Sequence, residues 1–144
     1  MRTILAFRAL IVISLLTAAC DDDGPAGTTG EFAMDHVLVQ GTVLTSDGEP
    51  VTRAFVTIRV YETGCLGAWQ TLLSAIRPDA DGRYAERISV FSPGPDRSFR
   101  GCIEVQIEPF TSTGLEADSA RRDNVAFVRT SVPPPSVEID VHLP

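Results

Sequence analysis

From His36 onward, apolar residues recur at every second position. Val37, Val39, Gly41 and Val43 share one face while Leu38, Gln40, Thr42 and Leu44 share the other, the alternation of a strand partly covered on both sides. Ser46-Asp47-Gly48-Glu49-Pro50 interrupts it as a turn. A second strand is predicted over Ala54 to Glu62, with Val56, Ile58 and Val60 inward and Thr57, Arg59 and Tyr61 outward. Trp69 to Arg77 is a third strand with weaker alternation, because the Leu72-Leu73 pair also suits a helix. Asp79-Ala80-Asp81-Gly82 has the composition of a tight turn, and it launches a fourth strand, Arg83 to Phe91. Ser92-Pro93-Gly94-Pro95-Asp96 cannot continue a ladder, since two prolines lack the donor. In the fifth strand Ile103, Val105 and Ile107 alternate with Cys102, Glu104, Gln106 and Glu108. Residues 111 to 123 read as a polar connection, Val125 to Thr130 as a sixth strand, and Ser136 to Leu143 as a seventh. Seven short strands separated by turns predict an all-β, seven-stranded antiparallel β-sandwich.

The first 34 residues break this rhythm. Arg2 and Arg8 stand at the start of an apolar run, Ala9 to Leu16, which Thr17-Ala18-Ala19-Cys20 closes. The run is shorter than the roughly 20 apolar residues of a spanning helix and is followed at once by Asp21-Asp22-Asp23. A cationic start, a short apolar stretch and small residues before a cut fit a secretory signal. Residues 1 to 20 resemble a bacterial lipoprotein signal peptide. That resemblance implies cleavage after Ala19, diacylation of the Cys20 sulfur, and a location in the cell envelope, extracytoplasmic and held to a membrane by lipid. In enterobacterial lipoproteins an aspartate following the lipidated cysteine favours the inner membrane, and Asp21 stands there; the choice between inner and outer membrane stays open. Residues 20–34 are acidic and glycine-rich with little to bury, as expected of a flexible tether, which leaves 35–144 as one domain.

Charge narrows the partners. Without Arg2 and Arg8, ten of the 12 cations face 19 acids, a balance of −9, and no lysine occurs. An acidic surface repels phosphate backbones, so no nucleic-acid partner is expected. Cysteine arithmetic is equally direct. If Cys20 carries lipid, Cys65 and Cys102 remain, and in an oxidising compartment a leftover pair joins. Such a disulfide contributes about 4 kcal/mol in the chain-entropy account. A metal centre would need more ligands than two distant cysteines, and a thiol nucleophile would need a neighbouring base.

Val39-Gln40-Gly41-Thr42-Val43, Asp47-Gly48-Glu49-Pro50-Val51, Ala54-Phe55-Val56-Thr57-Ile58 and Asp79-Ala80-Asp81-Gly82-Arg83-Tyr84 occur in an order and spacing that resemble the carboxypeptidase regulatory-like domains. The match covers about residues 37 to 90. It implies a prealbumin-like (transthyretin-like) sandwich that supports or binds and does no chemistry itself. Related sandwiches include enzymes. Hydroxyisourate hydrolases depend on a histidine and arginine set and a C-terminal Tyr-Arg-Gly-Ser, whereas this chain ends Val141-His142-Leu143-Pro144. Intradiol dioxygenases place two tyrosines and two histidines on iron, and no matching motif is seen.

The remaining candidates are few. His36 and His142 read as surface strand residues, and no G-x-S-x-G motif is present. Asp79, Asp81, Asp47, Glu49 and Asp96 lie in turns, where hairpin capping competes with calcium; a calcium site wants six to eight oxygens. No metal or other cofactor and no catalytic residue is assigned. Trp69, the single tryptophan, reads first as a core plug and second as an outward contact for a sugar or an apolar peptide group. Edge strands can also accept a partner's strand. The expected function is a lipid-anchored, non-enzymatic binding or structural module with a protein or carbohydrate partner. The alternative is an inhibitor or accessory subunit of a partner enzyme acting through the loops around Cys65 and Pro93, and behind it a small hydrolase.

Overall fold

The computed structural model describes residues 33–62, 64–94, 98–129 and 133–144. The expected signal peptide, lipidated Cys20, Asp96 and nearly all of the tether lie outside these. Eight strands form: β1 (Met34–Thr45), β2 (Ala54–Tyr61), β3 (Trp69–Ile76), β4 (Arg83–Phe91), β5 (Arg100–Pro109), β6 (Asp118–Ala126), β7 (Ser136–Glu138) and β8 (Val141–Leu143). The one helical piece among the described residues is a single 3-10 turn, Thr111–Thr113. One sheet runs β4-β1 and continues with β7 and β8, both on the far side of β1; the other runs β3-β2-β5-β6. Between the sheets the alternating residues meet. Val37, Val39 and Val43 of β1, Val56, Ile58 and Val60 of β2, and Ile103, Val105 and Ile107 of β5 are all essentially inaccessible.

Three expectations are corrected. The predicted seventh strand is two strands, and both pair with β1 in parallel, so the sandwich is eight-stranded and not wholly antiparallel. The break falls at Ile139 and Asp140, where Ile139 donates its N–H to Gln40 O at 2.9 Å and the Asp140 carboxylate accepts from Thr42 N and Oγ1 at 2.8 and 2.7 Å. A side chain there takes the place of a ladder carbonyl, which period-two alternation cannot reveal. The third correction concerns the sixth strand, which begins at Asp118 inside the supposed connection and ends at Ala126. It is an edge strand exposed along most of its length, so it carries almost no apolar stripe to read. The chain beyond it enters the core with fully buried Phe127 and bridges from Val128 to His36 in the other sheet.

Local chemistry explains the turns. Asp79 Oδ1 accepts from the N–H groups of Asp81 and Arg83, both at 2.9 Å, and Gly82 takes φ +74° where a Cβ would strike the Val43 carbonyl. Gly41 has a different reason. Its backbone is extended, and the space a Cβ would fill is occupied by the Ile139 carbonyl, which also accepts the Tyr84 hydroxyl.

Candidate binding face on the second sheet

The outer face of the β3-β2-β5-β6 sheet is where the chain's chemistry collects. Alternation along β2 turns Arg59 and Tyr61 away from the core, and the register sets Tyr61 beside Cys102 and Trp69, and Arg59 beside Glu104 and Leu72. Cys65, with φ +52°, folds back over this end, and its sulfur is joined to that of Cys102 with the Cα atoms 5.0 Å apart. Tyr61 and the two cysteines form a small buried cluster of their own outside the main core. Above it the chain holds apolar groups in water: Leu66 is 77% exposed and Trp69 51%. The reading of Trp69 as a core plug is therefore corrected. β3 is an edge strand, so on one side no neighbouring strand covers its outward residues.

Beside that apolar rim lies a buried carboxylate. Glu104 is 6% exposed although it points away from the core, because three side chains close over it. Arg121 Nη2 and Nε meet Oε1 at 2.7 and 2.8 Å, while Tyr61 donates its hydroxyl to Oε2 at 2.8 Å and Arg59 Nη1 reaches the same oxygen at 3.4 Å. Arg59 Nη1 also donates to Gln106 Oε1 at 2.5 Å. Burial pushes the Glu104 carboxyl up, but the hydrogen bonds from Tyr61 and Arg121, the Arg121 charge and the Arg59 contact outweigh it and hold the group below the ordinary carboxylate value. Tyr61 is raised, first by burial and then by donating to an anion. Both oxygens of Glu104 are engaged, so the cluster locks β2, β5 and β6 together and presents Arg59 and Arg121 as its outer surface. The sequence pattern marks Arg59 as outward and does not single out Glu104; a glutamate alternating into a strand between Ile103 and Val105 looks the same whether its outer face is bare or covered.

Comparison with known proteins adds the fold and nothing finer. No family model matches the chain, and no curated protein matches it. Among solved structures it is similar to chlorocatechol 1,2-dioxygenase from Pseudomonas putida, at 10% identity and a TM-score of 0.51, over 76% of this chain and 60% of that one. It is similar also to a mutant of Acinetobacter radioresistens catechol 1,2 dioxygenase, at 12% identity and a TM-score of 0.50, over 82% of this chain and 54% of that one. The chain thus spans less than two thirds of the length of either enzyme. The expectation that this is not an enzyme is corrected by these likenesses. It rested on a scaffold taken to be an accessory and on the lack of a catalytic motif around His36 and His142; a similar scaffold occurs in dioxygenases, so the architecture gives no ground for excluding catalysis.

The two tyrosines and two histidines of this chain, the residue types that intradiol dioxygenases place on iron, are apart. Tyr61 donates to Glu104 on the outer face of the second sheet, whereas Tyr84 is buried in the first, donating to Ile139 O. His36 shares a 2.7 Å hydrogen bond between Nδ1 and Ser89 Oγ, and His142 is exposed on β8. Tyr84 pairs with Gly41 and Ser89 with His36, which places Tyr84 and His36 five strand residues apart, about 17 Å. These four do not fit one metal ion. Among the described residues no group of three or more His, Cys, Asp or Glu side chains is placed to hold one, and the Asp79 carboxylate is engaged by its own turn. His36 is lowered from its ordinary value, mainly by burial and then by Arg87, with Asp35 opposing.

Proposed function

We propose that this chain is a lipid-anchored protein of the cell envelope, tethered through Cys20, whose carboxypeptidase regulatory-like sandwich is a binding module using the Trp69 end of the outer face. The observation that carries this is a tryptophan half exposed beside Leu66 and Leu72, which is 39% exposed, on a face stiffened by the Cys65–Cys102 bond and the Glu104 cluster. An indole fixed on a rigid sheet supplies a large apolar contact at low entropic cost, and it suits the ring face of a sugar or an apolar peptide side chain.

The test uses the full chain in detergent against immobilised glycans and a library of extended peptides. A ligand class should emerge whose binding shifts Trp69 fluorescence and weakens about tenfold or more in Trp69→Ala, as for a central aromatic anchor. Blank arrays, or equal binding by Trp69→Ala, would reject the reading.

A second reading, an accessory or inhibitory subunit of a partner enzyme, is favoured by Leu66 standing 77% exposed next to the disulfide-held Cys65. Under it, capture from solubilised envelope returns one enzyme in stoichiometric amount, and Leu66→Ser loses it.

A further inference from the structure

The other end of the same face carries a feature that neither the anchor nor Trp69 explains. Phe55 begins the outward column of β2 and Phe110 follows β5, and their rings pack with centroids 5.0 Å apart. Two guanidinium groups stand over this pair. Arg77 lies 5.5 Å from the Phe55 centroid and 5.8 Å from that of Phe110, and Arg53 lies 6.0 Å from Phe110. Both arginines are exposed. Neither has a carboxylate at ion-pairing distance among the described residues, although Arg59, Arg83, Arg121 and Arg129 all do. Arg87, Arg100 and Arg122 likewise lack a carboxylate at that distance; what sets Arg53 and Arg77 apart among the described residues is the aromatic pair they share.

We propose that Arg53 and Arg77 form a receptor for the carboxylates of an acidic peptide segment. Both guanidinium groups are within cation–π reach of the rings, at 5.5 to 6.0 Å, and neither spends its N–H groups on a carboxylate, which leaves them for the bidentate fork that grips one. The ring pair also holds both side chains, so less rotamer freedom is lost when a ligand arrives. Arg59 and Arg121 lie between this end and Trp69, sharing the single carboxylate of Glu104; exposed Glu108 stands opposite Phe55 on β5, so an acidic segment is received on the Arg77 side of the ring pair, along β3, and not across β5. The overall negative charge of the molecule opposes long polyanions and selects a short acidic stretch. This inference does not depend on the Trp69 reading, since the two ends are six β2 residues apart, about 20 Å.

The experiment titrates the full chain in detergent with acetylated hexaglutamate, with hexaglutamine and sodium sulfate as controls, following the arginine Nε–Hε resonances and the heat of binding. Hexaglutamate should shift the Arg53 and Arg77 resonances while hexaglutamine does not, and Arg53→Gln with Arg77→Gln should weaken binding about tenfold or more, the loss expected with a charge-assisted hydrogen bond. Arg77→Lys, which keeps the charge and gives up the planar fork, should also bind more weakly. An unshifted Arg53 and Arg77 pair in the wild-type chain overturns the proposal, and so does a sulfate affinity equal to that for hexaglutamate, which would make the site a general anion contact. Because the wild-type resonances report directly, a variant that fails to fold does not block the decision. Trp69→Ala should leave hexaglutamate binding unchanged, which separates failure of this site from failure of the other.

Discussion

Gly41 and Glu104 show how single residues here are set by what lies across from them. At Gly41 the backbone needs no unusual dihedral; the space is taken by the Ile139 carbonyl and the Tyr84 hydroxyl. Gly41→Ala should therefore cost about 1–3 kcal/mol, the range for forcing an extra methyl into packed structure, seen as a lower midpoint in denaturant unfolding. Glu104 predicts a pH effect. Its folded carboxyl titrates below its unfolded value, so the unfolded chain binds the proton more readily. The stabilisation is present above the unfolded value and is lost as pH falls through the folded one. Stability measured from pH 7 downward should fall in the acid range, and Glu104→Gln should flatten that part of the curve while lowering the plateau. A plateau left unchanged by the substitution would contradict the cluster.

At the scale of elements, the disulfide matters because of where it joins. It closes a separation of 37 residues, tying the turn after β2 to β5, and it covers Tyr61 on a side of the sheet that the main core does not reach. Replacing both cysteines with alanine should cost about 4 kcal/mol in the chain-entropy account, with the loss read in thermal unfolding. The same variant should bring Trp69 fluorescence closer to that of free indole in water. The two terminal strands make the complementary point. Val137, Ile139, Val141 and Leu143 alternate as one strand would, yet Asp140 inserts its carboxylate at Thr42 and divides them. Asp140→Ala removes both hydrogen bonds from Thr42 and should cost about 1–3 kcal/mol, without unfolding the sheet.

For the whole molecule, the two sheets are joined by apolar packing and, among the described residues, by polar contacts such as the one at Asp35. Asp35 is fully buried on β1, accepting from Phe99 N at 2.8 Å and from Arg129 Nε at 3.3 Å, next to the edge-on pair Phe99 and Phe127. The proposed lipid anchor is tested at this scale as well. In detergent phase separation the native chain should enter the detergent phase and Cys20→Ala should remain aqueous; partition of both into water would reject the lipid anchor. The sequence alone determined that this is a chain of short strands with a defined inner face, because alternation of apolar residues is a local property and a strand's two faces repeat every second residue. It also marked the turns at Gly48 and Gly82, where composition and backbone geometry coincide. Only the tertiary structure decided that β6 is an edge, that the last strands run parallel to β1, that Trp69 faces water, and that Glu104 is covered by Arg59, Arg121 and Tyr61. Each of those depends on which strand lies alongside, and partners distant in sequence leave no periodic signature in either segment.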